Sequence, residues 1–340
     1  MLLYCTSNGS LSSSLSGSES IENKNINKIV GIIYLAHGCI TIPLSCFVLS
    51  VFCSKSLWKY SCYKLMAFVN ICDILNLINA CVFAGFFSFF EFTHCKDGRF
   101  VMYVAFWQFF IWFFSCGVCM SLALNRLLVF VNDDLTKFLF SGKRVYLWLL
   151  VALGYDVALN AAIPDPFYFY NPYGGSYNFL RASGEANYVE IYASYGKSVL
   201  TMILNVLMLV FMYLGNKKFG NLKKASSFQF AVSFQVLAIA ILSDLCACFY
   251  LVQSYVPLPE ALAPYAGNLA QLVWIYFHSR FATYNLTLKL CLAGTAIIYV
   301  IMNHAVRTRF VTLFRKMIGK PEATDMVVTL PNVDTVHVQI

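Results

Sequence analysis

The 340-residue chain is 59% hydrophobic and only 12% charged, where an ordinary soluble domain carries about a quarter charged residues. That balance excludes a large soluble enzyme core and points to a polytopic membrane protein. The net charge of +8 is not a nucleic-acid signal, because the bases fall between apolar runs, as in the loops of membrane proteins.

Residues 1–28 form a Ser-rich tail with a glycosylation sequon at Asn8 (Asn8-Gly9-Ser10). MLLYC is too short for the apolar core of a cleavable leader, so the first span is expected to act as the insertion signal. A span needs about 20 mostly apolar residues. Such runs fall at 29–53, 65–90, 101–131, 145–163, 191–214, 228–253 and 263–303. Open strands cannot cross a bilayer because their edges would go unpaired. The expected fold is therefore all-α: a seven-helix transmembrane bundle over 29–303, followed by a polar tail over 304–340.

The second run holds FVNICDILNL. Asp73 lies about 12 Å into it, too deep for its short side chain to reach water. Asn76 and Asn79 follow at helical spacing, so Asp73 and Asn76 are expected in a hydrated polar network or cation site. In the third run Gln108, Trp112, Ser115, Cys119, Leu122 and Arg126 recur every three or four residues and share one face. Gln108 and Arg126 are about 27 Å apart along that face. Gln108 and Trp112 are candidate pocket residues. Arg126 is a snorkelling anchor or a switch at the inner mouth.

Thirteen cysteines are present. Most lie inside apolar runs, where cysteine behaves as a small hydrophobe. Only Cys5 and Cys95 are candidates for an oxidising setting, and the loop at 164–191 has no cysteine. Asp156 and Asp244 are unassigned. The last run, 263–303, would be about 60 Å long as one helix, so an insertion is expected near 280–293; the alternative is one long, kinked helix. Tyr299 and Asn303 stand four apart at its end.

Expected inner segments hold 15 bases: Lys55, Lys59, Lys64, Lys137, Lys143, Arg144, Lys217, Lys218, Lys223, Lys224, Arg307, Arg309, Arg315, Lys316 and Lys320. Expected outer segments hold five: Lys24, Lys28, Lys96, Arg99 and Arg181, with Lys197 at the outer end of the fifth run. Positive charge stays inside, which gives an outer N-terminus and an inner C-terminus. No HExxH, GxSxG or Gly-rich phosphate loop appears, and the five histidines lack ligand spacing. Neither an enzyme, a cofactor nor a metal site is expected.

The stretches CYKLMAFVNICDIL (62–75), SLALNRLLVF (121–130), LFSGKRVYLWL (139–149) and IIYVIMNHAVR (297–307) resemble the nematode serpentine receptor class T, a G-protein-coupled chemoreceptor group. The resemblance implies that Asn125-Arg126 stands where rhodopsin-like receptors carry an acidic-Arg pair; Asn125 is neutral, so that ion pair is absent. It implies a sodium-site role for Asp73 with Ser115. Tyr299 and Asn303 fall where an NPxxY motif would be, without its proline. Asn125, Arg126, Tyr299 and Asn303 are thus the expected coupling switch. The implied partners are a small-molecule ligand or pheromone-like odorant, a heterotrimeric G protein and the lipid bilayer; the implied location is the plasma membrane, a sensory cilium being one setting for it. The competing readings are a ligand-gated cation channel, with its N-terminus inside, and a small-solute transporter, which would show two similar halves.

Overall fold

A computed structural model describes residues 21–172, 176–183, 187–218, 233–241, 296–301 and 303–318. The sequon at Asn8, Asp244 and the segment 280–293 lie outside these residues. Among them, five helices are long and apolar enough to cross a membrane: Asn27–Phe52, Ser61–Phe90, Arg99–Val131, Val145–Ala162 and Tyr188–Leu214. They are here the first to fifth spans.

The first span belongs to α1 (Ile21–Phe52), and a short α2 (Lys55–Trp58) follows it. The second span begins at Ser61, four residues before the apolar run, because Cys62 and Tyr63 are buried there. It is not uniform. Helix α3 (Ser61–Leu77) passes into a π-helical turn (Ile78–Phe83) and then α4 (Ala84–Phe90). After α5 (His94–Asp97), the third span is α6 (Arg99–Val131). Asn132 caps α7 (Asp133–Phe140) by accepting from the Leu135 N–H at 3.0 Å. The fourth span is α8 (Val145–Ala162), and the fifth lies in α9 (Tyr188–Lys218). Helical turns at 233–241 and 296–301 precede α10 (His304–Met317).

The expectation of an all-α chain needs one correction. The loop at 164–191 contains an antiparallel hairpin of β1 (Pro166–Asn171) and β2 (Ser176–Arg181). Its strands are rich in Phe and Tyr, which favour extended backbone. Phe167 through Asn171 are all buried. Tyr168 sits 4.6 Å from the Phe109 ring centroid, and Tyr170 lies 5.4 Å from that of Phe87. The hairpin is thus a plug over one end of the bundle.

Two hydroxyls fasten that plug to the second span. Tyr170 donates to the Ala84 carbonyl at 2.9 Å and also bonds Ser88. Burial raises the Tyr170 phenol above its usual range, so it stays a donor. Tyr177 donates to the Asn79 carbonyl at 3.1 Å, inside the π-helical turn. Tyr170→Phe keeps the ring and leaves buried oxygens unpaired. The expected cost is about 1–3 kcal/mol, visible as a lower thermal midpoint of the full chain in lipid nanodiscs.

The buried hydrophobes form two main clusters, one at each end. Tyr34, Phe87, Val101, Phe109, Phe113 and the hairpin tyrosines fill the hairpin end. Phe52, Leu65, Met66, Val118, Leu122, Phe140 and Tyr299 fill the other. Glycines let the spans close up. A Cβ on Gly31 would meet the Gly85 carbonyl oxygen at 2.7 Å and the Phe89 nitrogen at 2.9 Å. A Cβ on Gly117 would meet Ala152 Cβ at 2.8 Å. Small residues at crossings are how helices approach closely where lipid replaces water. Outward-facing leucine and valine, such as Leu147, Leu150, Val151 and Val199, are all more than half exposed, as surfaces against lipid tails are.

Candidate functional site

Polar side chains gather between and below the two clusters. The middle band comes from the second and third spans. Asp73, Asn76 and Asn79 are buried at helical spacing on one side of the second span. Gln108 Nε2 donates to Asn76 Oδ1 at 3.2 Å, which joins the spans. Asn76 Nδ2, Asn79 Nδ2 and Gln108 Oε1 are buried without a partner, as are both amide atoms of Asn70. Buried polar atoms are normally satisfied, so this band has spare capacity for water, an ion or a ligand group. Ser115 is buried one to two turns below Gln108. Asp73 acts electrostatically on both Cys119 and Tyr299.

Sequence spacing places Gln108 and Trp112 together as pocket residues. They lie about one helical turn apart on the third span and have different neighbours. Gln108 belongs to the Asn76 network, whereas Trp112 is half-buried against the aromatic cluster of the hairpin end. The carboxylate of Asp156, also buried, accepts from Asn160 Nδ2 at 2.8 Å within its own helix. Among the described residues, no group of three or more His, Cys, Asp or Glu could hold a metal ion.

The second gathering lies at the end away from the hairpin. Arg126 is 8% exposed. Its Nη2 donates to Asn125 Oδ1 at 3.1 Å, and Asn125 Nδ2 donates to Ser61 Oγ at 3.3 Å. The neutral amide thus accepts from the guanidinium and also donates to the second span, and the second of these an ionised carboxylate could not do. Asn303 makes the matching link from the far end of the chain. Its Nδ2 donates to Gln235 Oε1 at 3.3 Å and to Tyr63 Oη at 3.5 Å, while its Oδ1 accepts from the Ala305 and Val306 N–H groups. One side chain therefore caps α10 and bridges residues 233–241 to the second span. Tyr299, one turn earlier, is fully buried, with its ring 4.8 Å from Phe52.

Arg126 also acts electrostatically on Cys62 and Tyr63. So Asn125, Arg126 and Asn303 share one neighbourhood, organised through Tyr63. Sequence reading misses Ser61 and Tyr63, because each lies at the edge of an apolar run where a polar residue looks like an interfacial boundary, and it misses Gln235, seven residues inside the run 228–253. It also places Lys197 at the outer end of the fifth span. The helix begins at Tyr188, so Lys197 lies about 13 Å along it, and it is 4% exposed.

Cys95, between the second and third spans, is disulfide-bonded. Among the described residues no other cysteine, Cys116 and Cys119 included, is disulfide-bonded.

The sequence model described as "Serpentine type 7TM GPCR chemoreceptor Srt" matches residues 4–322. No curated protein matches the chain. Among solved structures the chain is similar to the crystal structure of squid rhodopsin, with a TM-score of 0.59 and 12% identity over 87% of each chain. At that identity the likeness concerns the fold.

Proposed function

This chain belongs to the serpentine-type 7TM GPCR chemoreceptor family Srt, and on that premise we propose how it signals. It is a receptor of seven spans, N-terminus outside and C-terminus inside, that takes up a small extracellular molecule near the hairpin end and couples to a heterotrimeric G protein at the Arg126 end. The observation that carries this reading is the enclosure of Arg126. A buried arginine held by a neutral amide, beside an Asn303 latch that ties the second span to residues 233–241, is a mouth held closed by hydrogen bonds. Separating those elements would unbury the guanidinium and open a crevice for the G protein. A ligand drives that change only by binding the open state better than the closed one.

The middle band fits a coupling role between the two ends. Asp73 and Ser115 face the same interior and would hold a small cation or ordered water, oxygen donors being what hard cations take. Orientation is supported by the excess of bases in the inner segments and by the disulfide at Cys95, since such bonds persist in oxidising compartments. We infer a plasma-membrane location from the same topology.

The cation-channel alternative places the N-terminus inside. Epitope tags at the N-terminus and, separately, in the 215–227 segment distinguish the two in intact cells. The receptor reading expects staining of the first before permeabilisation and of the second only after it. The reverse pattern would sink this reading and favour the channel.

A further inference from the structure

The second and third spans meet in a pair of carboxamides. Gln108 Nε2 donates to Asn76 Oδ1 at 3.2 Å, and the two residues are 3% and 0% exposed. That bond uses one donor and one acceptor of the pair. Gln108 Oε1 and Asn76 Nδ2 remain, buried without a partner among the described residues. Turning both amides over leaves the same remainder, one acceptor and one donor, because each amide carries both kinds of atom. Asn79, three residues along the second span and 1% exposed, adds its Nδ2 as another idle donor. Leaving three such atoms desolvated is costly.

A second observation sets an apolar wall beside them. Tyr177 donates to the Asn79 carbonyl at 3.1 Å, and Tyr177 belongs to the aromatic cluster of the hairpin end, with Phe109, Phe113 and Tyr168. Phe109 adjoins Gln108 in sequence and is buried. The amides therefore stand at the edge of that cluster. Net charge does not select here. Asp73 and Lys197 both act on Cys119, with opposite sign, and the three neutral amides give an entering ion no counter-charge.

The polar group that fits follows from the three idle atoms. An ammonium donates only and leaves both Nδ2 donors unused. A ketone or a carboxylate accepts only and leaves Gln108 Oε1 unused. A hydroxyl donates one hydrogen bond and accepts two, which answers Gln108 Oε1, Asn76 Nδ2 and Asn79 Nδ2 together. A primary carboxamide does the same. We propose that Asn76, Asn79 and Gln108 form the head-group site for the ligand, and that the ligand is a small neutral alcohol or carboxamide on an apolar body. This rests on the receptor reading above and sharpens it. The site lies on the hairpin side of Asp73 and Ser115 and draws on neither.

The test titrates the full-length receptor in lipid nanodiscs with octan-1-ol, octanamide, octan-2-one, octanoate and octylamine. Benzyl alcohol, benzamide, acetophenone, benzoate and benzylamine form a second series. Binding is read from the concentration dependence of the thermal midpoint. The double variant Asn76→Leu/Gln108→Met is titrated in the same discs, so uptake of the probes by lipid cancels. Replacing both partners of a buried bond by apolar side chains of similar size leaves folding nearly unchanged. In at least one series the alcohol or the carboxamide is expected to bind wild type about tenfold or more tightly than the ketone, the acid and the amine. The double variant should lose that preference. Asn79→Leu keeps the Asn76–Gln108 pair and should weaken alcohol and ketone alike, by about fivefold, since its amide donates to both. Alcohol against carboxamide within a series tells which group the site takes. A ketone that binds as well as both, as ordered water alone on the amides would give, overturns the proposal. So does a preference that survives in the double variant, or no binding in either series. If the double variant does not fold, Asn79→Leu decides, and alcohol binding unchanged by it overturns the site. Epitope tags on the same receptor in intact cells report separately on the receptor reading. An outer N-terminus without alcohol or carboxamide preference defeats only the head-group site. An inner one defeats the receptor reading beneath it.

Discussion

Asn303→Leu is expected to raise ligand-independent nucleotide exchange about 5- to 30-fold. The variant removes the donors to Gln235 and Tyr63, the contacts proposed to hold the Arg126 mouth closed. At about 0.5–1.5 kcal/mol each, two such bonds hold about 1–2 kcal/mol of bias, and each 1.4 kcal/mol is tenfold in a population. Asn303 also caps α10, so the effect needs a partner variant that leaves the cap alone. Gln235→Leu is that variant. Gln235 is fully buried and its Nε2 is unsatisfied, so leucine removes a desolvated atom and breaks only the latch. It should raise exchange in the same direction. Adding Arg126→Ala to either variant should return exchange to the receptor-free rate, because the open crevice would lack its guanidinium. The measurement is GTPγS uptake by purified G protein in the presence of each receptor. Exchange unchanged in both latch variants, or persisting at the raised level without Arg126, would remove the switch from this end of the bundle.

Gly31→Val is expected to abolish cell-surface expression. The obstruction is backbone: the Gly85 carbonyl oxygen and the Phe89 nitrogen stand within 3 Å of the new Cβ, and no rotamer moves them. Overpacking costs about 1–3 kcal/mol where neighbours can shift, and the upper end applies here because the first and second spans must separate along their length. Gly154→Val is the control. It lies on the fourth span with nothing within 4 Å of its Cβ, and it should express as the wild type does. Flow cytometry of a tagged receptor reads both. Normal surface levels of the Gly31 variant would mean that the two helices do not cross at this point.

The spans were legible because lipid imposes one rule that composition obeys. Long apolar runs must be helices, and the five described spans coincide with five of the expected runs to within a few residues at most ends. The face of the third span was legible too: Gln108, Ser115, Leu122 and Arg126 are all buried, as their 3.6-residue spacing requires. The hairpin was missed because its first strand lacks the alternation of a half-buried sheet. Phe167 to Tyr170 are apolar at every position because both faces are covered. Gly174-Gly175 between two aromatic runs was the available signal. The Tyr63–Asn303 link joins positions 240 residues apart, and single-sequence spacing holds no information about such a pair. The depth of Lys197 was misjudged for a related reason. The fifth helix starts at Tyr188 and carries Glu190 in its first turn, polar residues that read as loop although Glu190 is buried.

The π-helical turn at Ile78–Phe83 bears on how kin of this chain should be lined up. One surplus residue in a helix rotates everything beyond it by about 100°, and such turns are commonly single-residue insertions. Gly85, Phe87 and Ser88 thus hold their present orientations only because that extra residue precedes them. A kindred sequence with an unbroken α-helix here would carry the equivalent glycine one position earlier. Pairing the two residue for residue across 78–83 would set an inward side chain against a lipid-facing one throughout the hairpin half of the span. A one-residue gap placed at the turn restores the correspondence, and the residues that differ in ligand choice among kin would then be sought at the shifted positions.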